Sequence, residues 1–245
     1  MIIKNKYKIF FIIIDIVMLK FLLNILLSNV LSNVLFITNY NQCYAIDLLN
    51  INLDIDNSLI IRGEINEETT SIFMKDLYDK KNKENLYLYL DTPGGSVLEG
   101  LKIANEVEKY DISCVVKRAY SMGFVILQYC KNRYITKHAS IMQHQISYGI
   151  QGERAKVESY VKYIKSVGDE LTKHQARRIG ITPELFEKKT YNDWWLYGDN
   201  IIKSKCGDRY VEVYCSDDLI KEEYEIVEYG MYKETIKLYS KCGLI

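Results

Sequence analysis

The chain has 245 residues, 48% of them hydrophobic and 26% charged, so it can bury a sizeable core and is not a disordered tail. Its 32 basic residues are balanced by 32 acidic ones. That excludes a nucleic-acid binder working through a broad basic face, because neutralising phosphates takes clustered excess Lys and Arg.

Residues 9–37 are strongly apolar, preceded by Lys4, Lys6 and Lys8 and interrupted by Asp15, Lys20, Asn24 and the pairs Ser28-Asn29 and Ser32-Asn33. Each central charge would be costly in a bilayer, so this is no clean membrane span. Read from Met18, the segment has a basic Lys20, an apolar run over 21–36 and a small-x-small site Cys43-Tyr44-Ala45, the layout of a cleavable export signal. We expect residues 1–45 to be a signal peptide cleaved after Ala45, delivering the protein to a periplasm or an organelle lumen. The alternative is an uncleaved anchor that associates with a membrane through residues 9–37. A leader without function would leave the protein cytoplasmic.

The six Cys (Cys43, Cys114, Cys130, Cys206, Cys215 and Cys242) form no C-x-x-C, and no His stands near them at metal-ligand spacing, so neither a zinc site nor another metal is expected. Cys114 and Cys130 lie in apolar stretches and read as small buried hydrophobes. Cys206, Cys215 and Cys242 are candidates for pairing if the chain is exported.

From residue 58 onward, short apolar runs alternate with amphipathic segments: a strand at 59–62, a helix at 67–79, a strand at 86–90, a helix at 97–109 and a strand at 112–116. This βαβαβ rhythm requires parallel strands with crossover helices, hence an α/β layered domain with its chemistry at the carboxyl ends of the strands. The first such end is Asp91-Thr92-Pro93-Gly94-Gly95-Ser96, where Ser96 and Glu99 have the spacing of a capping box. A helix start directly after Gly95 leaves free amides, and without Cβ atoms at Gly94 and Gly95 a carbonyl can approach them. A plain tight turn would use the same residues.

The second junction is Ala119-Tyr120-Ser121-Met122-Gly123-Phe124, ahead of an apolar helix at 124–130. Ser121 there is either a simple helix cap or an exposed, rigidly held hydroxyl beside an unpaired amide. Short strands at 133–136 and 140–143 then deliver His144 in Met142-Gln143-His144-Gln145. His138 falls in a Lys-His-Ala turn and His174 on a polar helix face, so both read as solvated. Tyr148-Gly149-Ile150-Gln151-Gly152 is a glycine-broken extended piece. A long helix over 153–178 carries Val157, Tyr160, Val161, Ile164, Val167 and Leu171 at helical spacing. At about 1.5 Å per residue it exceeds what this domain would cover, so part of the stripe is expected to meet another subunit. Thr182-Pro183 opens a short helix, and Asp193 follows before Trp194-Trp195-Leu196.

These residues resemble the proteolytic subunit of the Clp protease and its relatives, within the wider group that holds the crotonases and signal peptide peptidase A. The resemblance covers residues 58–208. It is carried by Tyr89-Leu90-Asp91-Thr92-Pro93-Gly94-Gly95-Ser96, Ala119-Tyr120-Ser121-Met122-Gly123, Ile141-Met142-Gln143-His144-Gln145 and Asp193 ahead of Leu196. It implies a layered ββα-superhelix with a long handle helix, and a serine endopeptidase that needs no cofactor, working on peptide or unfolded protein inside a ring of identical subunits. The implied roles are nucleophile for Ser121, general base for His144, orienting acid for Asp193 and oxyanion donors for the amides of Gly95 and Met122. Gly94, Gly149, Ile150 and Gln151 would bind substrate, the last three by strand addition.

Such a triad is chemically coherent, since a serine hydroxyl needs an imidazole to take its proton and a carboxylate to hold the tautomer. There are departures: the stretch from Gly95 to Ser121 is a few residues short, and Tyr120 and Phe124 replace small residues and would crowd the site. Residues 45–57 show no axial loop, and export would separate the enzyme from ATP, so an ATPase unfoldase partner is not expected. Residues 46–208 read as the peptidase domain and 209–245 as a small β-rich extension. The rival readings are a catalytically inactive scaffold subunit, an acyl-CoA enzyme with paired carboxylates, and a serine-lysine dyad using Lys117 or Lys137.

Overall fold

Alternation of inward and outward side chains organises the central sheet of this computed structural model, which describes Asn24, residues 48–229 and residues 234–244, without the side chains of 224–229 and 234–238. The expected leader 1–45, its cleavage point and the apolar run 9–37 lie outside the described residues, Asn24 apart. No helix among the described residues is long and apolar enough to cross a membrane.

Strands β1 (Leu49–Leu53) and β2 (Ser58–Arg62) lead into helix α1 (Glu67–Asp79), β3 (Tyr87–Thr92), α2 (Val97–Lys109), β4 (Ser113–Tyr120), α3 (Met122–Tyr129) and β5 (Arg133–Gln143). After them come α4 (Arg154–Ile179), α5 (Pro183–Thr190), β6 (Trp194–Tyr197), α6 (Asp199–Lys203), β7 (Arg209–Cys215), α7 (Asp217–Lys221), β8 (Glu223–Tyr229) and β9 (Glu234–Ser240). The strand order is β1-β7-β5-β4-β3-β2, all parallel, with β6 antiparallel on β5, making seven strands; β8 and β9 form a separate hairpin. This is the α/β layered architecture expected from the βαβ rhythm, and it agrees with the superhelix that the resemblance implies.

On one sheet face Leu59, Ile61, Leu88, Leu90, Cys114 and Val116 pack with Phe73 of α1 and Ile103 of α2 in the main core. The intervening residues Ile60, Tyr89 and Val115 face the other way, into a smaller cluster with Leu53, Val211, Leu219 and Cys242. Asn66 and Thr69 make a reciprocal capping box on α1. At α2 only half of the expected box forms: Ser96 accepts from the Glu99 amide, while the Glu99 carboxylate pairs with Lys102.

The tail differs from the sequence reading, which drew a boundary at 208/209. β7 lies beyond that boundary yet pairs with both β1 and β5 inside the main sheet, because its apolar residues fill a place between two parallel strands. The chain end then folds back onto β2 and β3. The Arg62 guanidinium donates to the Gly243 carbonyl at 2.9 Å, and the Gly243 Cα packs so close to the Tyr89 ring that a Cβ there would collide with it.

The reading of Cys114 and Cys130 as unpaired hydrophobes is also corrected, while two of the three pairing candidates do pair. Cys114 and Cys130 form a disulfide between the start of β4 and the end of α3; each sits in an apolar run, but those runs end against one another. Cys215 pairs with Cys242, fastening the chain end to β7, and Cys206 is a buried free thiol.

Candidate active site

The carboxyl ends of β3, β4 and β5 meet the starts of α2 and α3 beside a cleft of about 320 Å³ lined by Gly95, Ser121, Met122, Gln143 and His144. Its opposite wall comes from α4 and α5, through Lys165, Asp169, Leu171, Thr172, Gln175, Phe186, Glu187 and Thr190. Sequence reasoning missed this wall.

Ser121 stands between β4 and α3 with φ 52° and ψ −114°, a conformation costly for a residue with a Cβ. Its amide donates to the Met142 carbonyl at 2.8 Å, fixing the turn against β5. As the residue at the helix cap it makes no capping hydrogen bond. The hydroxyl instead meets His144 Nε2 at 2.8 Å. The strained turn thus aims Oγ outward at an imidazole rather than inward at its own helix.

Two glycines allow the approach of β3. Gly94 has φ +97°, and a Cβ on it would lie 2.6 Å from the Tyr120 carbonyl and 2.8 Å from Ser121 Cβ. Gly95 bridges Ile65 in parallel fashion: the Ile65 amide donates to the Gly94 carbonyl and the Ser96 amide to the Ile65 carbonyl. That pattern turns the Gly95 N–H away from Ile65, with no backbone partner among the described residues. The Met122 N–H, at the first position of α3, is likewise unpaired among them. An anionic oxygen placed near Ser121 would find such donors beside it.

Asp193 is not brought to the imidazole. It is exposed, has φ 54° and makes no hydrogen bond to His144. Its place is nonetheless adjacent in register: β5 and β6 pair Gln143 with Trp194, and the next step along both strands is His144 and Asp193. Gly149, Ile150 and Gln151 are exposed and lie outside the cleft lining. The extended piece they belong to is not a strand here, since its backbone pairs with no strand among the described residues.

Several side chains differ from expectation. Tyr120 does not crowd the cleft: its hydroxyl meets that of Ser140 and its ring stacks edge-on against Trp195 at 5.0 Å. Phe124 is fully buried between Phe186 and Trp194. His174 is not solvated but half-buried, stacked on Tyr129 at 3.7 Å, with Nε2 at 3.1 Å from the Gln128 carbonyl. His138 lies on β5, exposed, and its Nδ1 is 3.0 Å from the Tyr197 hydroxyl. Lys117 is held by Asp91 at 3.1 Å, and neither it nor Lys137 lines the cleft.

Behind the cleft lies an amide chain that sequence reasoning also missed. The His144 amide donates to Gln143 Oε1 at 3.1 Å, Gln143 Nε2 donates to Gln175 Oε1, and Gln175 Nε2 donates to the Leu171 carbonyl at 2.9 Å. A signal was available: Gln175 continues the apolar stripe one helical step beyond Leu171, and Gln143 takes the inward position two residues after Ile141.

A comparison with protein-family models matches residues 43–204 to the family described as Clp protease.

Proposed function

The chain belongs to the Clp protease family, and from that premise we propose that it is a serine endopeptidase using Ser121, His144 and the amides of Gly95 and Met122. The observation that carries this reading is the 2.8 Å contact between Ser121 Oγ and His144 Nε2, made beside amides with no backbone partner among the described residues. His144 would take the hydroxyl proton as Oγ attacks a peptide carbonyl. The carbonyl oxygen becomes an anion facing the two N–H groups. Collapse expels the amine, protonated by His144, and water then hydrolyses the acyl-enzyme by the same proton relay. Asp193 is assigned the orienting role, reached by turning its side chain toward the neighbouring register position.

The substrate is peptide or unfolded protein. Residues 145–152 make no backbone hydrogen bond within the described chain, so their amides and carbonyls, those of Gly149, Ile150 and Gln151 included, are free to add an extended peptide as a strand. Gly94 is assigned a binding role through its close approach to the Ser121 turn. On α4, Tyr160, Val161 and Tyr163 remain exposed, which supports assembly with further copies in a ring. The two disulfides support export through residues 1–45, since such bonds persist in oxidising compartments.

A fluorophosphonate probe is expected to label Ser121, and Ser121→Ala to abolish labelling. Absence of labelling at every pH between about 6 and 9 would favour the inactive scaffold. The unengaged Asp193 is the observation on that reading's side.

A further inference from the structure

His144 stands one residue beyond the end of β5, so no sheet ladder holds its amide. What holds it is the side chain of the preceding residue, Gln143, and that side chain is held in turn by Gln175 of α4. Both glutamines are buried, 5% and 2% exposed, in the wall of the cleft.

The amide chain has a direction. Each glutamine accepts on its oxygen and donates from its nitrogen, running from the His144 N–H to the Leu171 carbonyl. Turning Gln143 over would set its NH₂ against the His144 N–H, donor against donor, and turning Gln175 over would set its NH₂ against that of Gln143. A single orientation of both side chains therefore satisfies every group. An apolar pair of the same shape would fill this space and leave only the His144 N–H without its acceptor, so packing alone does not call for two amides. Their distinguishing product is a fixed main chain at the residue whose imidazole meets Ser121.

We infer that Gln143 and Gln175 are positioning residues, which hold His144 against Ser121 from the main-chain side and tie the base to the seating of α4. This rests on the peptidase reading above. An imidazole displaced by about 1 Å loses the alignment that proton transfer needs. The seating of α4 would then reach catalysis without any residue of α4 touching the reacting atoms.

The test uses the full chain and three variants: Gln143→Met, Gln175→Met and the double Gln143→Met/Gln175→Met. The single variants each leave a buried side-chain amide unpaired and can lose stability for that reason alone, whereas the double removes both, leaves only the main-chain N–H of half-buried His144 without its acceptor, and is expected to melt closer to the parent than either single variant. Labelling of Ser121 by fluorophosphonate should slow about 10- to 100-fold in the double variant. For a short peptide kcat should fall by a similar factor with KM little changed, and the pH midpoint of labelling should shift. A double variant that labels at the parent rate with the parent pH midpoint overturns the inference and leaves the peptidase reading standing. A parent protein that does not label at all removes the peptidase reading itself, and the positioning role with it.

Discussion

Gln143, the last residue of β5, pairs with Trp194, the first of β6, and His144 and Asp193 are the residues immediately outside that pair. The imidazole turns to Ser121, and the carboxylate remains in solvent. Asp193→Asn isolates its charge, because Asn tolerates the left-handed backbone found at this position. We expect kcat for peptide cleavage to fall by about 10- to 10⁴-fold, the upper bound being the cost of losing a carboxylate that fixes the histidine tautomer. Steady-state kinetics checks this; an unchanged kcat would reduce Asp193 to a turn residue.

Gly94→Ala acts on Ser121 without altering it. The new methyl would sit 2.6 Å from the Tyr120 carbonyl at a backbone φ of +97°. We expect destabilisation of about 1–3 kcal/mol. Labelling of Ser121 should slow even in the folded fraction, because the Ser121 turn must move to admit the methyl. Denaturant melts read the first effect and probe labelling the second.

The disulfide between Cys114 and Cys130 closes a 16-residue separation that contains Ser121. Constraining a loop of this length is worth about 3 kcal/mol. Cys114→Ala/Cys130→Ala should therefore melt at a lower temperature than the parent, and a reducing agent should lower the parent more than the variant. Burial pushes the Cys206 thiol up to about 12, so site-resolved mass spectrometry should find it unalkylated in the native protein at pH 8 and alkylated after unfolding.

Burial lowers the His174 pKa, with Arg177 and Arg178 adding to the effect, against the Gln128 carbonyl and Glu108, which raise it. The folded protein thus keeps His174 neutral where the unfolded chain, near the ordinary value of 6.5, has begun to bind a proton. The sign follows: stability present above that value is lost as pH falls below it toward the folded pKa. The melting temperature should drop between about pH 7 and pH 5.5, and by less in His174→Phe, which keeps a ring against Tyr129 and cannot titrate.

Much of this was legible along the chain because its causes are local. The apolar runs at 59–62 and 86–90 and the amphipathic segments at 67–79 and 97–109 reappear as β2, β3, α1 and α2 with bounds almost unchanged. One glycine pair and one serine at strand-to-helix junctions marked the two turns of the site, since those turns need their backbone geometry whatever lies around them. Where a reading failed, a distant partner was responsible. The 133–136 and 140–143 segments are one strand because β4 continues beside both across a register shift. Tyr120 leaves the cleft because Ser140 and Trp195 receive it, and His174 leaves solvent because Tyr129 offers a face.

By itself the order of residues determined the layering, the βαβ connections and the two turns that carry Gly95 and Ser121, all set by periodicities and backbone preferences acting over a few residues. Only the tertiary structure decided that Cys114 meets Cys130, that β7 enters the sheet, that Asp193 stops short of His144 and that Gln143 finds Gln175. Those outcomes depend on how surfaces from separate elements fit when solvent is excluded, and no local preference encodes such a fit.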